Sequence, residues 1–537
     1  MILTMNFAQK KIVETNDMHS ILSIDSQGVS SGTISFSFPV VDIHAYWVSS
    51  LTAPSECIPW VINEESAFQQ GMPFIAFINS AGINQISVGL IDLFCDLKIS
   101  AKMNQETCSY DITLSLKSEK PLPCFSISLD FRKQNWQKSV KAWRELQNQK
   151  EQSFPTAVWD PVYCTWYAVH GAVTEEWCAR TAQEAKKLGF GTFILDDGWC
   201  YPDMKRVSPE TIISWYEKVG DWIFDKSKFP DAAAHIKRVQ ALGLKYMVWI
   251  APYLIGDHSE MYQKLKSIKG SLYGDYLEGY YKLDTRNKTA CEMLLNQVEK
   301  LMPVYGIDGL KIDFLDQIYP DQENPRSNNC QDFTAEITRR IRQHKPEALI
   351  EFRQAYTTPQ MLSYGTQFRA RDCPFDFLLN FRRIAQIRIA LGDGIPVHAD
   401  PAYWPSTELP VNIARHFIAM MAGVPMLSID LESLSAENKR IISFWISFYR
   451  KNAHWLKNAH WEFDYSSGIL GSALGIGTDY SLAIVADSKR IPKLSSPGWI
   501  LNLSPEELSL EKGQIFDFEG KSYAGNNIPI GGGAFLS

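Results

Sequence analysis

The stretch EEWCARTAQEAKKLGFGTFILDDGW (175–199) decides the architecture. Its first part has a helical pattern. Cys178, Ala182, Ala185 and Leu188 recur at spacings of three and four and share one face, and Gly189 follows as a stop. TFILD (192–196) is then a short, fully apolar strand that ends in acid. A helix followed at once by a buried strand is one unit of an α/β repeat.

Outward from this unit the same rhythm recurs. Eight candidate strands can be read: VYCTW (162–166), TFILD (192–196), YMVWI (246–250), GLKID (309–313), ALIEF (348–352), QFRAR (367–371), IPVHA (395–399) and VPMLS (424–428). Helical patterns lie between them. Leu294, Val298, Leu301 and Met302 form one face before Gly306, and another helix runs from about Asp376 to Leu391 and stops at Gly392. Eight βα units predict an α/β fold of the (β/α)₈ TIM-barrel type. The rival is a doubly wound open sheet, but no Gly-rich phosphate turn follows any strand.

The flanks read differently. SGTISFSFPV and SYDITLSLKS alternate with period two, so the N-terminal part is expected to be an antiparallel β-sandwich. A basic amphipathic stretch from about Asn135 to Lys150 reads as a linking helix. YSLAIVAD and GQIFDFEG restore the strand rhythm near the C-terminus. The expected domains are 1–150 (sandwich and linking helix), 151–451 (barrel) and 452–537 (a small C-terminal β-sandwich domain).

Composition narrows the function classes. Among 537 residues, 45% are hydrophobic and 21% charged, as in ordinary globular proteins. The net charge is −7 with no Lys/Arg-rich block, which argues against a nucleic-acid partner. No run approaches the ~20 apolar residues of a membrane span, and the N-terminus lacks a signal-type apolar region. The ten Cys lie apart with no CxxC pair, so neither a disulfide framework nor a zinc site is expected. Free thiols in a cytoplasmic protein are the simplest reading. A homo-oligomer is compatible with the size, although no stretch identifies an interface.

In a barrel of this type, functional side chains stand at the C-terminal strand ends. Those ends carry Trp166, Asp196 and Asp197, Trp249, Lys311 and Asp313, Glu351 and Arg353, Arg369, Arg371 and Asp372, and His398 and Asp400. Each has a plain alternative. Asp196 and Asp197 could be caps, Lys311 and Asp313 a buried ion pair, and Asp372 the cap of the next helix. His398 reads better as a hydrogen-bonded rim residue than as a ligand. Together, however, acids, tryptophans and a few cations suit glycoside hydrolysis, in which one carboxyl protonates the leaving oxygen and another meets the anomeric carbon. The high aromatic fraction of 12% fits sugar packing as well as it fits a large core.

LDDGW, GDWIFDKSKFPD, YMVWIAPY and DGLKIDF together resemble the α-galactosidase superfamily of glycoside hydrolases, family 36 most closely, with families 27 and 31 as relatives. FRARDCPFD resembles the acid/base region of one branch of that group. The resemblance spans roughly residues 40–450. It implies Asp313 as nucleophile and Asp372 as acid/base. It implies that Asp196 and Asp197 hold the sugar's 4- and 6-hydroxyls, that Lys311 bonds ring hydroxyls, and that Trp166 and Trp249 line the sugar. Arg369, by proximity, would hold a hydroxyl or orient Asp372, and Glu351 and Arg353 complete the candidate substrate-binding set. One departure stands out. Many family 36 members carry a Cys-Ser-Gly-Gly-type stretch after the fifth strand that meets the 2-substituent, and this chain has EFRQAYTTPQ there.

The expected activity is therefore retaining hydrolysis of terminal α-linked galactose from oligosaccharides or glycoconjugates, with no metal and no cofactor. N-acetylgalactosamine or another α-sugar is the alternative substrate. Retention requires the two carboxyls ~5–5.5 Å apart, against ~6.5–9.5 Å for inversion. Asp313 should stay ionised beside Lys311, and Asp372 should start protonated. Two rivals remain at this stage: a non-catalytic sugar-binding protein on the same scaffold, and a metal-dependent hydrolase using His398, Asp400 and the Asp pair.

Overall fold

A computed structural model describes residues 3–5, 9–16, 18–56, 60–93, 95–148, 153–202, 216–277, 279–510 and 512–537. Its centre is an eight-stranded parallel barrel. The strands are β1 (Val162–Cys164), β2 (Thr192–Leu195), β3 (Lys245–Ile250), β4 (Gly309–Ile312), β5 (Leu349–Arg353), β6 (Gln367–Arg369), β7 (Val397–His398) and β8 (Met426–Leu427). Each pairs with its sequence neighbour, and β1 pairs with β8. Bridges from His398 to Val424 and from Ala402 to Leu427 join β7 to β8 and close the ring. The eight strands coincide with the eight expected from the apolar runs.

The helices follow from local chemistry. The helix α1 (Glu175–Leu188) starts at Thr174, whose side chain accepts from the Trp177 N–H. Glu175 and Glu176 lie in its first turn and Lys186 and Lys187 in its last, each complementing the helix dipole. Gly189 ends it with φ 97°, a left-handed conformation that costs glycine little. The helix α2 (Phe377–Leu391) is capped by Asp376, which accepts from the Leu379 N–H. That role agrees with its spacing and leaves Asp372 outside the cap.

The N-terminal part is a sandwich of a five-stranded and a seven-stranded antiparallel sheet. Ser31–Pro39 and Ser109–Lys117 pair in one sheet. Ile34, Phe36, Ile112 and Leu114 face Phe77, Val88 and Ile127 of the other across a shared core. The second sheet's outer face packs on the linking helix Trp136–Glu145, and through it on the barrel. Trp136 and Trp143 are fully buried there, and each such aromatic contributes roughly 1.5–3 kcal/mol through its apolar surface. Gly89 allows this docking: a Cβ there would lie 2.2 Å from the Trp143 Nε1.

The last barrel helix, α3 (Ala436–Leu456), runs past position 451, and the C-terminal sheet begins at His460–Asp464. Six strands form that sheet, and a two-stranded ribbon packs on it through Leu508 and Ile528. All nine cysteines among the described residues are free thiols. No helix among the described residues is long and apolar enough to cross a membrane.

Candidate active site

A pocket of about 210 Å³ opens at the C-terminal end of the barrel strands. It is lined by Cys164, Trp166, Tyr167, Asp196, Asp197, Tyr216, Trp249, Lys311, Asp313, Phe314, Arg369, Asp372 and Pro401. Eight of the ten residues expected to be catalytic or to bind substrate meet there. The other two, Glu351 and Arg353, stand behind its wall.

Strand register explains the meeting. Trp249 is level with Lys311, and Lys311 with Glu351, so neighbouring strands deliver these side chains at one height. Asp313 follows Lys311 by two residues and so points to the same side. The chain then turns sharply. Phe314 adopts φ 58°, a left-handed conformation that a bulky residue rarely takes, and its N–H donates to Asp313 Oδ1 at 2.8 Å. This turn places the Phe314 ring in the pocket wall and fixes one carboxylate oxygen. The Trp249 indole N–H fixes the other, donating to Oδ2 at 3.1 Å.

Arg353 completes the support of Asp313. Its Nε donates to Asp313 Oδ1, its Nη2 reaches Asp316 at 3.3 Å, and its guanidinium lies 4.8 Å from the centre of the Phe314 ring. Lys311 Nζ stands 3.8 Å from Asp313 Oδ2. Burial alone would raise the Asp313 pKa, but Arg353, Lys311 and Arg369 outweigh it and hold the carboxyl well below the usual range. Asp313 is thus a carboxylate held in one orientation by hydrogen bonds to both of its oxygens, and its ionised state agrees with the expectation.

Lys311 also donates to Asp196 Oδ2 at 2.5 Å, and the Cys164 thiol reaches the same oxygen at 3.0 Å. Burial depresses the ammonium pKa, but Asp196 foremost reverses this and holds it above the usual value. Asp197 receives the Tyr201 hydroxyl at 3.1 Å on Oδ1 and the Gly198 N–H at 2.7 Å on the same atom. Trp166 is half-buried and packs on His170, with ring centres 4.9 Å apart.

Asp372 stands at the mouth, with 59% of its side chain open. Arg369 Nη1 donates to its Oδ1 at 3.2 Å, and Arg383 Nη1 donates to its carbonyl oxygen at 2.7 Å. The cleft walls displace water and push the Asp372 pKa up, but Arg369 and then Arg353 outweigh them and hold it below the usual value. The expectation of a proton on Asp372 at the start is corrected here: the neighbouring guanidiniums favour the carboxylate.

Glu351 lies beneath the floor. It accepts from Gln367 Nε2 at 2.8 Å and faces Arg369 Nε at 3.5 Å and His398 Nδ1 at 3.7 Å. Burial raises its pKa and lowers that of His398 to about 4, so His398 is neutral near pH 7. His398 Nε2 bonds the Val158 carbonyl at 2.7 Å, so it is hydrogen-bonded as expected, but it is fully buried beneath the pocket and does not stand at the rim. Among the described residues, no group of three or more His, Cys, Asp or Glu is arranged to hold a metal ion.

Sequence reasoning missed Tyr167, Tyr216, Phe314, Cys164 and Pro401 as lining residues. Cys164, Tyr167 and Phe314 adjoin strand ends and could have been found by reading one or two positions further. Tyr216 comes from the long β2–α connection, which carries no periodic signal.

Beside Asp372 a second cleft of about 470 Å³ opens between the sandwich and the barrel. Arg371, Arg383 and Gln354 line it from the barrel, and Glu64, Glu65 and Lys98 from the sandwich.

The chain is similar in sequence segment and fold to known proteins. The melibiase family model matches residues 140–339. α-Galactosidase 1 of Pediococcus pentosaceus is 24% identical over 317 residues, covering 53% of this chain and 40% of that protein. An α-xylosidase of Emericella nidulans is 35% identical over 107 residues, covering 18% of this chain and 14% of that protein. The chain thus matches less than half the length of the curated relatives. The family 36 α-galactosidase AgaA of Geobacillus stearothermophilus, in complex with stachyose, superposes over 100% of this chain and 86% of its own, with a TM-score of 0.65 at 15% identity. AgaA in complex with raffinose superposes with a TM-score of 0.64 at 15% identity, over 100% and 86% of the two chains. Residues 140–339 thus match the melibiase family, and the fold is similar to that of the glycoside hydrolase family 36 α-galactosidases.

Proposed function

We propose that this chain is a retaining α-galactosidase acting on terminal α-galactosyl units of oligosaccharides or glycoconjugates. One observation carries the reading. A single small pocket on a melibiase-type barrel holds a carboxylate kept ionised by three cations and, at its mouth, a second carboxyl open to solvent. Two carboxyls in unlike environments are what a double displacement needs.

In the first step, an Asp313 oxygen attacks the anomeric carbon as the bond to the leaving oxygen breaks, and Asp372 gives that oxygen its proton. In the second, Asp372 takes a proton from water, the water oxygen attacks the same carbon, and the bond to Asp313 breaks. The galactosyl unit keeps its α configuration after two inversions. Lys311, Asp196 and Asp197 supply charge-assisted hydrogen bonds to ring hydroxyls, and Trp166 and Trp249 pack on the ring. Arg353 holds Asp313 ionised and in place rather than touching sugar. The cleft lined by Arg371 and Arg383 adjoins Asp372, where the leaving group departs, and has room for further sugar units. That AgaA binds raffinose and stachyose supports this substrate class.

A panel of aryl α-glycosides, with the product anomer followed by NMR, tests the reading. Fast release from the α-galactoside with α-galactose formed first supports it. The β anomer first would exclude retention, and no release from any α-glycoside would leave a sugar-binding protein. The EFRQAYTTPQ segment, which places Arg353 behind Asp313, keeps other α-sugars in the panel, α-N-acetylgalactosaminide and α-xyloside among them.

A further inference from the structure

Asp400 follows β7 and is fully buried, yet it lies outside the lining of the pocket. Three elements converge on its carboxylate. Arg369 Nη1 donates to Oδ1, the Cys373 N–H donates to Oδ2 at 2.7 Å, and the Tyr167 hydroxyl reaches Oδ2 at 3.2 Å. Its backbone is fixed as well. The Asp400 N–H donates to Asn380 Oδ1 at 3.1 Å, and Asn380 Nδ2 donates to the Asp400 carbonyl at 2.9 Å. Arg369 and Cys373 bracket Asp372, three residues before it and one after. A single buried carboxylate therefore grips the Asp372 segment from both sides.

The grip is also electrical. Arg369 Nη1 has two hydrogens and three acceptors: the Ala370 carbonyl at 3.0 Å, Asp372 at 3.2 Å and Asp400. What Asp400 takes of that guanidinium, Asp372 loses. The sharing is partial, because Arg369 still holds Asp372 below the usual carboxylate range. We propose that Asp400 is a positioning residue: it fixes the loop of Asp372 and shares Arg369 with it, so that Asp372 stands where it can serve the leaving oxygen.

The titratable and charged groups around Asp400 are Arg369, Asp372 and Cys373 on β6 and its loop, Lys311 on β4, and Tyr167 after β1. Burial pushes Asp400 up to about 7 against the pull of Arg369, so it changes charge near neutral pH. Two carboxyls on one arginine titrate as a pair. Without the proposed α-galactosidase activity this role has no meaning, so the inference rests on that reading.

Asp400→Asn removes the charge and keeps the shape. With a poor leaving group such as a natural α-galactoside, kcat/KM should fall by at least about tenfold. With α-galactosyl fluoride or a dinitrophenyl galactoside, which leave without a proton, kcat/KM should stay within about twofold of wild type. An equal fall on both substrate types, or no fall on either, overturns the proposal. If Asp400→Asn does not fold, judged by thermal unfolding, the wild-type protein decides. Its Asp372 carboxyl resonance in ¹³C NMR, identified by its loss in Asp372→Asn, should titrate in two steps. A single step overturns the coupling. Wild-type protein inactive on every α-glycoside would instead refute the α-galactosidase reading, and this inference with it.

Discussion

Replacing Arg353 by Met tests how Asp313 is kept ionised. Arg353 is the nearest cation to Asp313 and the foremost of the groups that lower its pKa. An opposite charge at this range is worth about 1–3 pKa units, or roughly 1.4–4 kcal/mol. Lys311 at 3.8 Å and the more distant Arg369 remain, so the carboxyl should rise toward or past the ordinary ~3.9 without reaching the value of an uncompensated buried acid. The assay is kcat/KM from pH 3 to 7 on a dinitrophenyl α-galactoside, whose departure needs no acid. Wild type should show no limb from its nucleophile in that window, because Asp313 is already ionised at its lower end. The variant's acid limb should lie about 1–3 units higher than that of wild type, entering the window from its acid end, with activity regained above it. Identical profiles for the two proteins would refute the assignment of Arg353 as the group that holds Asp313 charged. Stability follows the same linkage. Because the folded Asp313 pKa is depressed, its contribution is full above the unfolded value of ~3.9 and is lost as the pH falls below it. Arg353→Met should therefore be less stable at pH 7, with a smaller further loss on acidification. It also leaves Asp316 buried without its cation, a change that typically costs about 3–5 kcal/mol. Arg353→Lys should fall between the two in both measurements.

Other outcomes follow from the same geometry. Asp313→Gly should fold, lose turnover by several orders of magnitude, and with azide and an activated substrate form β-galactosyl azide; wild-type turnover would remove Asp313 from the reaction. Asp196→Asn and Asp197→Asn should lower kcat/KM by about tenfold or more, because an amide accepts weaker hydrogen bonds than a carboxylate. Normal kinetics with a lowered melting temperature would make them structural. Asp372→Ala should spare the first step for dinitrophenyl or fluoride leaving groups and cripple it for natural galactosides, so that a burst precedes a slow steady state. Equal losses on both would move the acid/base role elsewhere. Arg371→Ala should raise KM for a trisaccharide several-fold while leaving an aryl α-galactoside unchanged, which a steady-state comparison of the two substrates would decide.

What could be read in the sequence, and what could not, has a physical basis. Buried parallel strands bounded by helices leave a compositional imprint, so VYCTW, TFILD and the other apolar runs located all eight barrel strands. Period-two side-chain geometry fixed the common direction of Lys311 and Asp313, and parallel register brought Trp249 and Asp196 beside them. Depth is another matter. Glu351 and Lys311 stand at the same register, yet one lies beneath the floor and the other in the pocket wall. The difference depends on what fills the barrel above each, and no strand carries that information alone. Division of labour among the arginines is equally tertiary. Arg353, Arg369 and Arg371 look alike at strand ends, but Arg353 is committed to Asp313 and Asp316, Arg369 is shared among Glu351, Asp372 and Asp400, and Arg371 faces the cleft. The charge on Asp372 is tertiary in the same way: Arg369 and Arg353, from two neighbouring strands, together hold it below the usual carboxylate range, and neither pairing can be read from one strand alone. The sequence shows which charges reach the rim; only the packed barrel shows which charge each of them answers to.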